Sequence, residues 1–96
     1  MTVRHVVLIR LRPEVSEDTT DLLAKDMRDL CMEMEGVLHC EVNRDRGLVP
    51  RNAHLVLIAE FADENAFQRY LSDPRHAAFV TNSLQQMVAS LASIQY

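Results

Sequence analysis

The chain has 96 residues, 48% of them hydrophobic and 25% charged, with a net charge of -4 at pH 7 and a pI near 5.4. A chain this long makes one domain, spanning residues 1–96, and buries about 65% of the surface it would expose unfolded, so it needs no staple. The acidic balance argues against a nucleic-acid surface. With no apolar run near the roughly 20 residues of a membrane span and no leader-like amino end, no membrane association is expected, and the cytoplasm is the expected compartment.

The first predicted element is a strand over residues 3–12. Its Val3, His5, Val7, Ile9 and Leu11 share one face, and Arg4, Val6, Leu8, Arg10 and Arg12 share the other. The core of this strand, His5-Val6-Val7-Leu8-Ile9, returns 49 residues later as His54-Leu55-Val56-Leu57-Ile58 with four of five positions identical. A spacing near half the chain suggests one strand-helix-strand unit written twice.

Pro13 closes the strand, Ser16 is placed to cap a helix, and Glu17 and Asp18 suit the positive end of that helix. Leu23, Met27, Leu30 and Met34 recur at helical spacing and Gly36 suits the stop, so the predicted helix covers 17–34. Residues 37–46 read as a half-exposed edge strand and Gly47–Asn52 as the loop between the halves. Arg44, Arg46 and Arg51 gather there among acidic residues, which fits a solvated loop.

The second strand begins at His54, with Leu55, Leu57, Ala59 and Phe61 on one side and His54, Val56 and Ile58 on the other. Asp63 is placed to cap a short helix carrying Ala66, Phe67, Tyr70 and Leu71 on one stripe. Asp73-Pro74 then restarts a helix with Ala77, Val80, Leu84, Met87 and Val88 turned inward, and Leu91–Tyr96 closes the chain as a strand. The order βαββαβ is the ferredoxin-like α+β arrangement: a four-stranded antiparallel sheet, its first and third strands central, with helices on one face. Both faces of the central strands are apolar, so the open face needs a cover. A second copy of the chain, sheet against sheet, is the expected partner, giving a homodimeric α/β barrel.

Three residues invite a chemical reading. His76 sits in the first turn of the helix after Asp73, where the positive end of the helix disfavours protonation and keeps a base available. Tyr70, six residues earlier, can aim a hydroxyl into the same space and stabilise an oxyanion, and His5 faces inward from the first strand. Taken singly, each also has an ordinary structural role: a first-turn histidine bonding backbone, a core tyrosine, a satisfied strand histidine. Cys31 and Cys40 show no metal-ligand or CxxC spacing and read as buried thiols, and His5, His39, His54 and His76 lack the close spacing of a metal site. No metal or other cofactor is expected. An oxygen-using monooxygenase reading would need a haem or quinone pocket that no residue singles out.

The segments His5-Val-Val-Leu-Ile-Arg-Leu-Arg12 and Tyr70-Leu-Ser-Asp-Pro-Arg-His-Ala-Ala-Phe79 resemble the stress-responsive α/β barrel (Dabb) family, and the likeness runs over nearly the whole chain. The resemblance implies a ferredoxin-like chain that dimerises through its sheet. It also implies an activity of the kind a plant polyketide cyclase of the family performs, an aldol ring closure without metal or organic cofactor. On that basis His76 would be the catalytic base and His5 and Tyr70 its partners. Val7, Ile9, Met27 and Phe79 would hold the tail of a small keto or polyketide-like substrate. Two positions depart from the cyclase pattern: Asp73 replaces a histidine and Met27 replaces a pocket tyrosine. The alternative is a non-catalytic, stress-responsive dimer with a structural or ligand-carrying role.

Overall fold

A computed structural model describes residues 1–96. The elements run β1 (Val3–Leu11), α1 (Glu17–Met32), β2 (Val37–Arg44), β3 (Leu55–Phe61), α2 (Glu64–Ser72), α3 (Pro74–Phe79), a π-helical turn (Val80–Leu84), α4 (Gln85–Met87) and β4 (Val88–Gln95). The strands form one antiparallel sheet in the order β2-β3-β1-β4, so the two copies of the repeat lie side by side at its centre. This is the ferredoxin-like α+β fold, with the helices on one face.

The local signals act as the residue types require. Ser16 accepts the Thr19 amide at 3.1 Å and starts α1, and Asp63 accepts the Ala66 amide at 2.7 Å and starts α2. Asp73 ends α2 in extended backbone and accepts the Arg75 amide at 2.8 Å, and Pro74 then opens α3. Gly36 has φ +87°, and a Cβ there would come within 2.5 Å of the Ala66 Cβ, so both backbone and space require glycine.

Odd-numbered residues of β1 and β3 face the helices. Ile9, Leu55 and Phe61 are at most 1% exposed and meet Leu23, Met27 and Cys31 from α1 and Ala66, Phe67 and Tyr70 from α2. Full burial of each large aliphatic or aromatic side chain contributes about 1.5–3 kcal/mol. Cys31 and Cys40 are buried free thiols. On the other face Val6, Val56 and Ile58 are half-buried, while Leu8 and Ile94 are exposed. The cross-strand register sets Ile58, Val6 and Ile94 in one row and Val56, Leu8 and Ala92 in the next. An Arg4–Glu60 ion pair at 2.9 Å borders this apolar centre.

Several expected boundaries shift. α1 ends at Met32, although Met34 remains buried beyond it, and β2 ends at Arg44. The largest change concerns the end of the chain: β4 begins at Val88, not Leu91, so Val88 belongs to a strand and not to the helix stripe. Ala77 is exposed, and the helix loosens into a π turn before reaching Val88. Arg12 fixes this junction. Its amide donates to the Met87 carbonyl at 2.8 Å, and its guanidinium donates to the carbonyls of Gln85 at 3.2 Å and Val88 at 3.3 Å. No helix is long and apolar enough to cross a membrane.

Candidate functional site

A cavity of about 370 Å³ lies between the helix-facing side of the sheet and residues 74–87. Val7, Ile9 and Leu57 form its floor, Met27 closes it from α1, and Val80 and Leu84 from the π turn roof it. Leu91 and Ser93 from β4 complete the side. No aspartate, glutamate, lysine or arginine lines it.

Polar chemistry collects where His5, Tyr70 and His76 meet. The rings of Tyr70 and His76 have centroids 4.6 Å apart, and those of His5 and Tyr70 lie 6.2 Å apart. β1 supplies His5, the last buried turn of α2 supplies Tyr70, and the first turn of α3 supplies His76. Phe67 at 5.0 Å and Phe61 at 6.4 Å from the His5 ring hold it in an aromatic wall. The structure brings His5, Tyr70 and His76 together and places Val7, Ile9 and Met27 along the same cavity. Phe79, expected beside them, lies instead in an outer groove between α1 and α3, beside Leu30 and Arg75.

The electrostatics favour neutral imidazoles. Burial, and secondarily the neighbouring His76, pushes the His5 pKa below its usual 6.5. Burial also lowers His76, against an upward pull from the Asp73 carboxylate and from the Leu71 backbone. Desolvation is the main cause that keeps His76 unprotonated. Burial, chiefly, raises the Tyr70 phenol, with the Cys31 and Cys40 thiols adding to the effect, so it stays a hydrogen-bond donor. A neutral imidazole keeps a lone pair on one ring nitrogen, which is what His76 needs to accept a proton.

The remaining histidines lie elsewhere. His39 stands on the edge strand 3.8 Å from Glu41, and His54 Nδ1 accepts the Leu11 amide at 2.8 Å. No three His, Cys, Asp or Glu side chains are grouped to hold a metal ion.

Comparison with known proteins fits this architecture. The family model described as the stress responsive A/B barrel domain, Dabb, matches residues 3–96. The chain belongs to the Dabb family. A Dabb family protein with a ferredoxin-like fold from Mesorhizobium loti MAFF303099 is similar at 28% identity and TM-score 0.85, over 99% of this chain and 94% of that one. A dimeric ferredoxin-like protein of unknown function from Thermobifida fusca YX shares the fold at 23% identity and TM-score 0.88, over 100% of this chain and 90% of the other. The hydroxynitrile lyase of Passiflora edulis also shares it, at 16% identity and TM-score 0.83, covering 99% and 91% of the respective chains. No curated protein matches in sequence.

Sequence reasoning missed several residues of this Dabb domain's cavity. Val80 and Leu84 were visible as part of an inward helical stripe, and Leu57 as part of the inward face of β3. Val88 reads as facing inward but on a helix, and Leu91 and Ser93 were not identified, because the start and register of β4 are set by pairing with β1 and leave no local signal; Gln85, on α4, was also missed.

Proposed function

We propose that the cavity binds a small, uncharged, partly apolar carbonyl compound of keto or polyketide type and catalyses proton transfer next to the carbonyl without a cofactor. The observation that carries this reading is the meeting of His5, Tyr70 and His76 at one apolar cavity with no charged lining residue. A carboxylate or phosphate would lose its hydration there and find no cation in return. In the reaction, the free nitrogen of His76 takes a proton from the carbon beside the carbonyl. The C–H electron pair becomes the enolate double bond as the carbonyl π pair moves onto oxygen, where Tyr70 and His5 donate hydrogen bonds. The resulting carbanion equivalent either attacks a second carbonyl, closing a ring by aldol addition, or recovers a proton from His76. Val7, Ile9 and Met27 hold the apolar tail.

Exchange of α-protons for deuterium tests this without knowledge of the physiological substrate. Small aryl and alkyl ketones incubated with the protein in D₂O should exchange faster than in buffer, and His76→Ala should lower the rate by about 100-fold. Equal exchange by both proteins would remove His76 as the base.

The second reading is a non-catalytic ligand carrier, favoured by the packing of Phe61 and Phe67 around His5 and Tyr70. It predicts ketone binding with no exchange, and loss of stability in place of activity when these residues are changed.

We further infer that two copies pair through the open sheet face. Val6, Leu8, Val56, Ile58 and Ile94 are too apolar to remain in water as a patch, and the Thermobifida fusca protein of the same fold is described as dimeric. Light scattering at micromolar concentration should give twice the chain mass. A cytoplasmic location suits the two free thiols.

A further inference from the structure

We propose that Gln95 is the positioning residue of this site: its amide N–H donates to His5 Nδ1 and holds the ring proton on Nε2, so that His5 meets a ligand only as a hydrogen-bond donor. The proposal rests on the catalytic reading above for its consequence, though not for its geometry. Gln95 is the last residue of β4 and the cross-strand partner of His5, so both side chains stand on the helix-facing side of the sheet. Its Nε2 lies 2.9 Å from His5 Nδ1. An amide nitrogen can only donate, so the ring nitrogen it meets must carry a lone pair, and a neutral imidazole then carries its proton on the other nitrogen. Protonating Nδ1 would set one N–H against another, so the contact also resists the imidazolium form.

His5 Nε2 has no protein partner, yet no buried side-chain nitrogen or oxygen in the molecule is left unsatisfied. Nε2 is therefore open to the cavity that His5 lines. The two histidines consequently hold complementary roles in the proposed reaction: a neutral His76 offers a ring lone pair as the base, while Gln95 occupies the Nδ1 lone pair of His5 and leaves it a donor. A carbonyl oxygen beside His5 and an acidic C–H beside His76 is the substrate orientation this pair selects.

Ring ¹⁵N shifts of His5 in the full-length protein, recorded near pH 8, where histidine is neutral, decide the matter. The wild type should show a single tautomer protonated on Nε2. Gln95→Met, which cannot donate, should give a mixture of tautomers. Gln95→Glu, which can only accept, should move the proton to Nδ1 and slow ketone exchange by about tenfold or more. Gln95 is exposed on an edge strand, so both variants should fold; if one does not, the wild-type spectrum and the other variant suffice. A wild-type proton on Nδ1, or a tautomer unmoved by either substitution, would overturn the role of Gln95. If the tautomer switches as stated while no ketone exchanges even with wild type, Gln95 keeps its role and the catalytic reading falls.

Discussion

Two five-residue strings identical at four positions have opposite fates in the fold. In β1, His5, Val7 and Ile9 face the helices and Val6 and Leu8 the open side; in β3, Leu55 and Leu57 face the helices, and Val56 and Ile58 the open side. The copies stand 49 residues apart, an odd number, and they pair antiparallel so that odd-numbered residues of both meet on one face. Because side chains alternate along a strand, an odd offset turns every repeated residue to the opposite face. His5 is thereby buried beside Tyr70. Its counterpart His54 is exposed at the strand end and serves the backbone, accepting the Leu11 amide at the irregular pairing beside Arg10. The likeness between the copies is thus a matter of β propensity and apolarity, which both strands share, and carries no equivalence of role.

The largest test of that contrast uses the two isoleucines. Ile9 is 1% exposed at the centre of the core, so Ile9→Ala should cost about 2–5 kcal/mol in chemical denaturation while leaving the assembly state unchanged. Ile58, its repeat counterpart, looks out from the open face. Ile58→Asp should leave each chain folded but halve the mass seen by light scattering, because a carboxylate cannot be buried unpaired in a sheet-to-sheet interface. A dimeric Ile58→Asp protein would place the interface elsewhere.

The histidines give the next largest effect. His5→Ala removes a donor to the developing enolate and should lower ketone exchange by about 100-fold, the scale for one oxyanion donor. His54→Ala should change exchange by less than about twofold and cost about 1 kcal/mol of stability, since the Leu11 amide loses its acceptor at a point water can reach. Matching activity losses in the two variants would mean that the copies are functionally equivalent after all.

What could be read from the sequence follows the same division between local and distant causes. Ser16, Asp63 and Asp73-Pro74 mark helix starts through bonds made within three residues, so they were legible. The alternation in β1 and β3 revealed which strand side chains meet the core, among them His5, Val7 and Ile9, while helical spacing and the family resemblance pointed to Met27, Tyr70 and His76. Val88 was misread because it lies four residues after Leu84, at helical spacing, whereas its pairing with Leu11 and the grip of Arg12 on the adjoining carbonyls place it in β4. Phe79 stands three positions after His76, near the same helix face, so spacing alone gave no warning that it lines the groove beside α1 and not the cavity. Gln95 had no signal, since its importance depends on a register that brings together residues 90 positions apart.

The smallest expected effect is a pH dependence confined to the window between about 5 and 6.5, above the titration of ordinary carboxylates. Burial lowers both His5 and His76 from 6.5, with Asp73 partly opposing it at His76. As pH falls through 6.5 the unfolded chain takes up protons on these two rings while the folded chain resists, so the unfolded state binds more protons and stability drops. Above 6.5 both states are neutral at these rings and the stability curve is flat on their account. Ketone exchange should fall in the same direction, because a protonated His76 is no longer a base. Denaturation midpoints between pH 5 and 8 measure the slope, and replacing both His5 and His76 with glutamine should reduce it. Stability that rises on acidification through this window would mean that the folded protein prefers the imidazolium forms. A cavity that stabilises two adjacent cations is wet or anion-lined, and the case for an uncharged ligand would go with it.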